Sequence, residues 1–290
     1  MPKEPPPVEE QSGPRVSAVL VGYNQAPQLR RAIEALERSR DAGKLEILVV
    51  DCGSRDDSSR LEADYPFIKP LHLPHHFGAT KAMNIATRTS TAELLFFLSP
   101  SVEVEPDTIA RLVPLLEEDS SAAAVCPLLI DPSGEPVSKL SRLPSPGNLE
   151  PAAESADLSQ DSISVEYPGR DALLVKKQVI RGINYFDEKH FGQYWADADL
   201  AMQIRRAGKK IRLYPAIRAT LHPEPDPIEG ETLAEADWTL GAASFFGKYY
   251  GFFSGLSFRV TSIFKALGRF DFRLLGYLIS GQKLDGSQSG

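Results

Sequence analysis

The feature that most constrains this 290-residue sequence is an alternation. Short apolar runs ending in a polar or acidic residue alternate with segments whose apolar residues recur at helical spacing. Val16–Gly22 (VSAVLVG) is the first run, and its nearly unbroken apolar character predicts a buried parallel strand. Asn24 then stands as the expected cap of a helix carrying Leu29, Ala32, Ile33 and Leu36. Leu45–Val50 is a second buried strand ending at Asp51, with Gly53, Ser54 and Asp56 marking a turn and a helix start. Phe67–Leu73 is a weaker strand, Gly78–Thr87 a helix and Glu93–Leu98 another strand. Pro106 opens a helix through Ile109, Leu112, Leu115 and Leu116, and Ala122–Ile130 is a further strand. This order predicts a parallel sheet with helices on both faces. Ligands of such sheets bind beyond the carboxyl ends of the strands. The informative positions therefore follow Gly22, Val50 and Leu98.

Composition closes off several alternatives. Apolar residues make up 42% and charged residues 24%, ordinary for a globular chain, and a net charge of -7 argues against a nucleic-acid partner. Cys52 and Cys126 each fall at the end of an apolar run, which suits reduced thiols in a cytosolic protein, and no zinc spacing is present. Residues 1–14 are rich in Pro and Glu and read as a disordered tail rather than a secretory leader. No apolar run approaches the roughly 18 residues of a membrane span. A nicotinamide-binding reading would need GxGxxG after the first strand, where GYNQAP stands instead.

The expected organisation is one main domain over 15–230, with an appended segment over 231–280 and a tail over 281–290. Within the main domain, residues 131–168 are dominated by Pro, Ser, Glu and Asp, which predicts a flexible functional loop or an insert. Order resumes at Ala172–Val175, then a helix from about Asp197 and the strand-like IRLYP and AIRATLHP. Trp238–Ile279 is aromatic and holds five basic residues (Lys248, Arg259, Lys265, Arg269, Arg273) against Asp271. Two readings stay open for it: an amphipathic element at an anionic membrane surface, or helices packed on the main domain with solvated basic residues.

Five segments in order, VSAVLVGYNQ, ILVVDCGSRDDS, FGATKAMNIA, LLFFLSPSVEVEPDTI and YFDEKHFGQYWADADLAMQIRRAG, resemble the family 2 glycosyltransferases, in particular their bacterial rhamnosyltransferase-like branch. The resemblance covers roughly Val16 to His222. It implies a GT-A fold, a mixed and mainly parallel α/β sheet flanked by helices, with a C-terminal helical appendage. It also implies a nucleoside-diphosphate sugar donor and a cell-envelope glycan or lipid-linked acceptor. The expected location is cytoplasmic, at the inner face of the cell membrane under the first of the two readings of the basic segment.

By the same resemblance, Tyr23 and Asn24 lie near the nucleotide base, and Asp51 contacts base or ribose. Cys52 stands beside it where the family has Asp or Asn. Lys81 and Asn84 fall in the family's basic and amide positions, Lys81 facing the diphosphate. The family's metal-binding acids are replaced by Ser99-Pro100-Ser101, so Ser101 and His222 occupy metal-site positions with weak or absent dependence on Mg2+ or Mn2+. The acceptor motif reads Ala196-Asp197-Ala198-Asp199-Leu200. Its first acid is lost, Asp197 is the general base, and Asp199 is counted with the substrate-binding set. A catalytically impaired relative kept as a binding or partner module is the alternative.

Overall fold

The computed structural model describes residues 13–40, 44–138, 140–149, 156–223 and 231–284. The tails expected at 1–14 and 281–290 lie largely outside these.

Strands β1 (Val16–Gly22), β2 (Leu45–Asp51), β3 (Lys69–His72) and β4 (Leu94–Leu98) form one half of the sheet, all parallel, in the order β3-β2-β1-β4. Helices α1 (Ala26–Glu37), the short α2 (Leu61–Asp64) and α3 (Ala79–Thr89) fall between them. Past β4 the sheet is mixed. Strands β5 (Val102–Val104), β6 (Ala122–Ile130), β7 (Ile163–Val165), β8 (Ala172–Lys176) and β9 (Lys210–Leu221) complete it, with β8 antiparallel to both β4 and β6, and β6 parallel to β9. Helix α4 (Thr108–Glu118) precedes β6, and α5 (Lys177–Gly182) and α6 (Ala196–Arg206) lie between β8 and β9.

Period-two alternation divides the interior. Along β4, Leu94, Phe96 and Leu98 join the cluster under α1 and α4, with Leu29, Ile33, Leu36, Ile109, Leu112 and Leu116. Leu95 and Phe97 face the other side, in the cluster that also holds Ala82 and Ala86 of α3 and Ala198 and Leu200 of α6. Burying each large apolar side chain of this kind contributes about 1.5–3 kcal/mol.

Two expectations are corrected here. IRLYP and AIRATLHP form one strand, not two. Pro127 has no N–H to give the ladder, and the β6–β9 register shifts between Pro127 and Leu128, where pairing jumps from Tyr214 to Arg218. The helix after Pro106 starts at Thr108 and carries Pro114 inside it. The Pro/Ser-rich stretch contributes more regular structure than its composition suggests: β7 pairs with β9, and an isolated bridge joins Ser141 to Tyr167.

The appended segment is three helices, α7 (Glu231–Tyr250), α8 (Phe252–Gly268) and α9 (Phe272–Ser280). α7 packs into the main core through Ala242, Phe245 and Phe246. α8 crosses it at Gly255, where an added Cβ would lie 2.3 Å from the Ala243 carbonyl, so only glycine permits this approach. No helix of the described residues is long and apolar enough to cross a membrane.

Candidate active site

Register brings the ends of β1, β2 and β4 together: Gly22 is level with Asp51, and Leu20 with Leu98. A cleft opens beyond these ends, as in parallel sheets generally.

One wall is set by the loops after β1 and β2. Asn24 takes a left-handed φ of 49°, its amide oxygen accepting from Arg55 N at 2.8 Å and its N–H donating to Ser54 Oγ at 2.8 Å. It is therefore not the cap of α1. Asp56 reaches across from the neighbouring loop and accepts from Ala26 N at 2.9 Å. Tyr23 lines the cleft with its ring edge-on to His76, centroids 4.6 Å apart. Cys52 lines it too. Burial, with the Asp51 charge adding to it, pushes this thiol up to about 12, so it stays a protonated, unreactive group. Both cysteines are free and buried. Asp51 itself is turned inward, accepting from Ser54 N at 3.1 Å and standing 3.5 Å from His72 Nδ1, and it does not line the cleft.

The third segment goes elsewhere. Lys81 Nζ sits 3.9 Å from the centroid of the Phe77 ring. Asn84 is fully buried and ties α3 to the chain at Phe186, donating to its carbonyl and accepting from its N–H, each at 2.9 Å. Neither reaches the cleft.

At the end of β4, Ser99 and Pro100 line the cleft. Ser101 N donates to Ser99 Oγ at 3.3 Å, and the Ser101 carbonyl accepts from His222 N at 2.9 Å. The His222 ring faces Glu103, Nε2 to Oε2 3.2 Å, while the other Glu103 oxygen meets Arg38 at 3.1 Å. A divalent ion bridging a diphosphate needs anionic oxygen ligands. The hydroxyls at 99 and 101 are neutral, and Glu103 is engaged by two basic side chains. Among the described residues no three His, Cys, Asp or Glu side chains are grouped to hold a metal ion. This donor set does not suit a hard dication.

The opposite wall is the start of α6. Asp197 lines the cleft at the second helical position, where the helix N-terminus favours a carboxylate. Its Oδ2 accepts from the Tyr167 hydroxyl at 2.5 Å. Burial, reinforced by the Asp197 charge, holds the Tyr167 phenol well above its ordinary pKa, so it remains a donor. Trp195, just before the helix, has φ 77° and is buried against Trp238, Phe245 and Phe246, ring centroids 5.3–5.8 Å away. Backbone strain of this kind collects at functional sites. Asp199 points away from the cleft. It is 1% exposed and accepts from Tyr249 Oη and from Lys248 Nζ, both at 2.7 Å.

Sequence reasoning missed the outer supports. Asp237 of α7, 1% exposed, accepts from Gln193 N (2.9 Å), Tyr194 N (3.3 Å) and Leu284 N (3.0 Å). Burial outweighs these bonds and raises its carboxyl to about 6. Gln193 Oε1 in turn accepts from Ala79 N at 2.9 Å. Arg170 and Gln193 both line the cleft. Tyr167 and Arg170 lie at the end of the polar stretch, where no periodicity singles out a residue.

This architecture, a mixed sheet with helices on both faces and a cleft at the strand ends, is the GT-A fold of glycosyltransferases. It aligns with a mannosyltransferase from Pyrobaculum calidifontis in complex with GDP-Man and Mn2+ (TM-score 0.57, 18% identity, 93% of this chain and 86% of that one). It also aligns with GalNAc-T7 with UDP, GalNAc and Mn2+ (TM-score 0.63, 14% identity, 82% and 51%). The model of glycosyl transferase family 2 matches residues 17–170, more than half of the chain, and the chain belongs to that family.

Among curated relatives, an N-acetylglucosaminyltransferase of Mesorhizobium japonicum is 32% identical over 118 residues, 39% of this chain and 28% of that protein. An undecaprenyl-phosphate 4-deoxy-4-formamido-L-arabinose transferase of Pseudomonas syringae is 32% identical over 112 residues, 36% and 33%. The matches thus span about a third or less of these two proteins. An N-acetylglucosaminyl-diphospho-decaprenol L-rhamnosyltransferase of Mycobacterium tuberculosis is 24% identical over 217 residues, 66% and 70%.

Proposed function

We propose that the protein transfers a sugar from a nucleoside-diphosphate donor to a cell-envelope glycan or lipid-linked acceptor, with inversion. The observation that carries this reading is the position of Asp197. A carboxylate at a helix N-terminus lines the same cleft as Tyr23 and Ser99, which this reading assigns to the base and diphosphate ends of the donor. In the reaction, Asp197 takes the proton of the acceptor hydroxyl while the hydroxyl oxygen bonds to the sugar's anomeric carbon. The bond from that carbon to the diphosphate oxygen breaks in the same step, and the nucleoside diphosphate leaves with the electron pair. Tyr23 offers an aromatic surface for the base. The neutral serines support weak or absent dependence on Mg2+ or Mn2+. Transfer of labelled sugar from a panel of donors to lipid-linked acceptors tests the reading, and its absence with every donor and acceptor would favour the impaired relative that Ala196 and Ser99 also suit.

The same reading places the protein at the inner face of a membrane. On α8, Phe253, Leu256, Val260, Phe264 and Leu267 are all exposed at spacings of three and four, with Phe253 80% exposed, and Phe272 and Ile279 of α9 add to them. An unburied helical stripe flanked by Lys265 and Arg273 supports attachment to an anionic lipid surface, where a lipid-linked acceptor would lie.

A further inference from the structure

The donor's diphosphate needs positive charge, and the residues after β4 do not suit a metal ion. The cleft nevertheless contains a permanent cation. Arg170 lines it together with Ser99, Pro100 and Asp197. Its place follows from strand pairing. Leu98 of β4 is paired with Ala172 of β8, and Ser99 N donates to the Asp171 carbonyl at 2.8 Å. The antiparallel pairing thus reaches Ser99 and Asp171, and the next residue, Arg170, lines the cleft beside the turn that lacks the family's acids.

The guanidinium is also held. Arg170 Nη1 lies 3.5 Å from the Gln193 carbonyl, and its central carbon is 5.6 Å from the Tyr194 ring centroid. Gln193 and Tyr194 are fixed in turn by the buried Asp237 carboxylate. The other basic side chains expected near the diphosphate are engaged elsewhere, Lys81 over Phe77 and His222 against Glu103.

Charge balance explains the substitution. Two carboxylates in this turn would repel a diphosphate unless a dication bridged them. With serines there, the repulsion is gone and a single guanidinium can bind phosphate oxygens directly through paired N–H donors.

We propose that Arg170 is a diphosphate-binding residue of the donor site and that it supplies the positive charge which a divalent ion held by acids supplies elsewhere in the family. The inference rests on the donor-binding reading above and names how that site recognises its ligand.

The test is calorimetry of the full chain in EDTA with UDP, dTDP and GDP, each beside its parent nucleoside, for wild type, Arg170→Gln and Arg170→Lys. Wild type should bind at least one diphosphate without metal. Arg170→Gln should weaken that diphosphate ten- to a hundredfold, Arg170→Lys less, and the nucleoside should bind all three alike, which shows the cleft intact. Equal diphosphate affinity in wild type and Arg170→Gln overturns the assignment while leaving the donor site standing. So does wild-type binding that appears only with Mn2+. Failure of wild type to bind any diphosphate, with or without Mn2+, overturns the donor-site reading and the assignment with it.

Discussion

The Tyr167 hydroxyl donates to Asp197 Oδ2 across 2.5 Å, so the carboxylate at the head of α6 holds a phenol where an acceptor hydroxyl would bind. If Asp197 is the base proposed above, an acceptor hydroxyl competes with this phenol for the carboxylate. Tyr167→Phe should therefore lower the acceptor KM by up to about tenfold, equivalent to about 1.4 kcal/mol, with donor affinity unchanged. Steady-state kinetics over acceptor concentration measure it. An unchanged or raised acceptor KM would mean that the phenol orients the base instead of competing for it.

Asp199 is a support of α6, not a contact of the cleft. Its buried carboxylate is shared by Tyr249 and Lys248, and charged hydrogen bonds of this kind contribute about 1.5–3 kcal/mol. Asp199→Asn should lower the unfolding free energy by an amount in that range while nucleoside-diphosphate affinity persists. Chemical denaturation paired with calorimetry checks both, and lost affinity at full stability would return Asp199 to the binding set.

Asp237 makes a pH prediction whose sign follows from its raised carboxyl. A group whose folded pKa lies above its unfolded value stabilises fully below the unfolded value, near 3.8, and the contribution is lost as pH rises through about 6. The shift corresponds to about 3 kcal/mol. The stability of wild type minus that of Asp237→Asn should fall by roughly this amount between pH 4 and pH 7, other carboxylates cancelling in the difference. A flat difference across that range would show that the three N–H donors, not burial, set the ionisation of Asp237.

Membrane attachment through α8 predicts that the protein co-sediments with vesicles containing anionic lipid and that Phe253→Ser with Phe264→Ser releases it. Both side chains are exposed, so the fold should be unaffected. High salt should weaken binding as well. Wild type that stays in solution with such vesicles would leave the stripe for a protein partner.

The sheet was legible because burial on both faces leaves a simple mark: VSAVLVG and AAAVCPLLI became β1 and β6 with the expected bounds. The apolar faces of α1 and α4 were legible for the same reason. Of the residues expected at the site, Tyr23 follows a strand and Asp197 starts a helix, and both line the cleft. Lys81, Asn84, Asp51 and Asp199 have motif spacing, yet side-chain direction sent them to Phe77, to Phe186, to His72 and to α7. No local signal carries such directions. Tyr167, Arg170 and Asp237 act through partners 30, 23 and 44 residues away in sequence, and that pairing emerges only in the fold.

The central claim is that Asp197 is the base of a working transferase. A general base contributes about 10²–10⁴-fold in rate, and Asp197→Asn keeps the size of the side chain but cannot take a proton. The decisive measurement is sugar transfer by wild type and Asp197→Asn with the same donor and acceptor, beside donor affinity for both. The account predicts equal donor affinity and a rate lower by a factor in that range. An Asp197→Asn variant that transfers at the wild-type rate would contradict it.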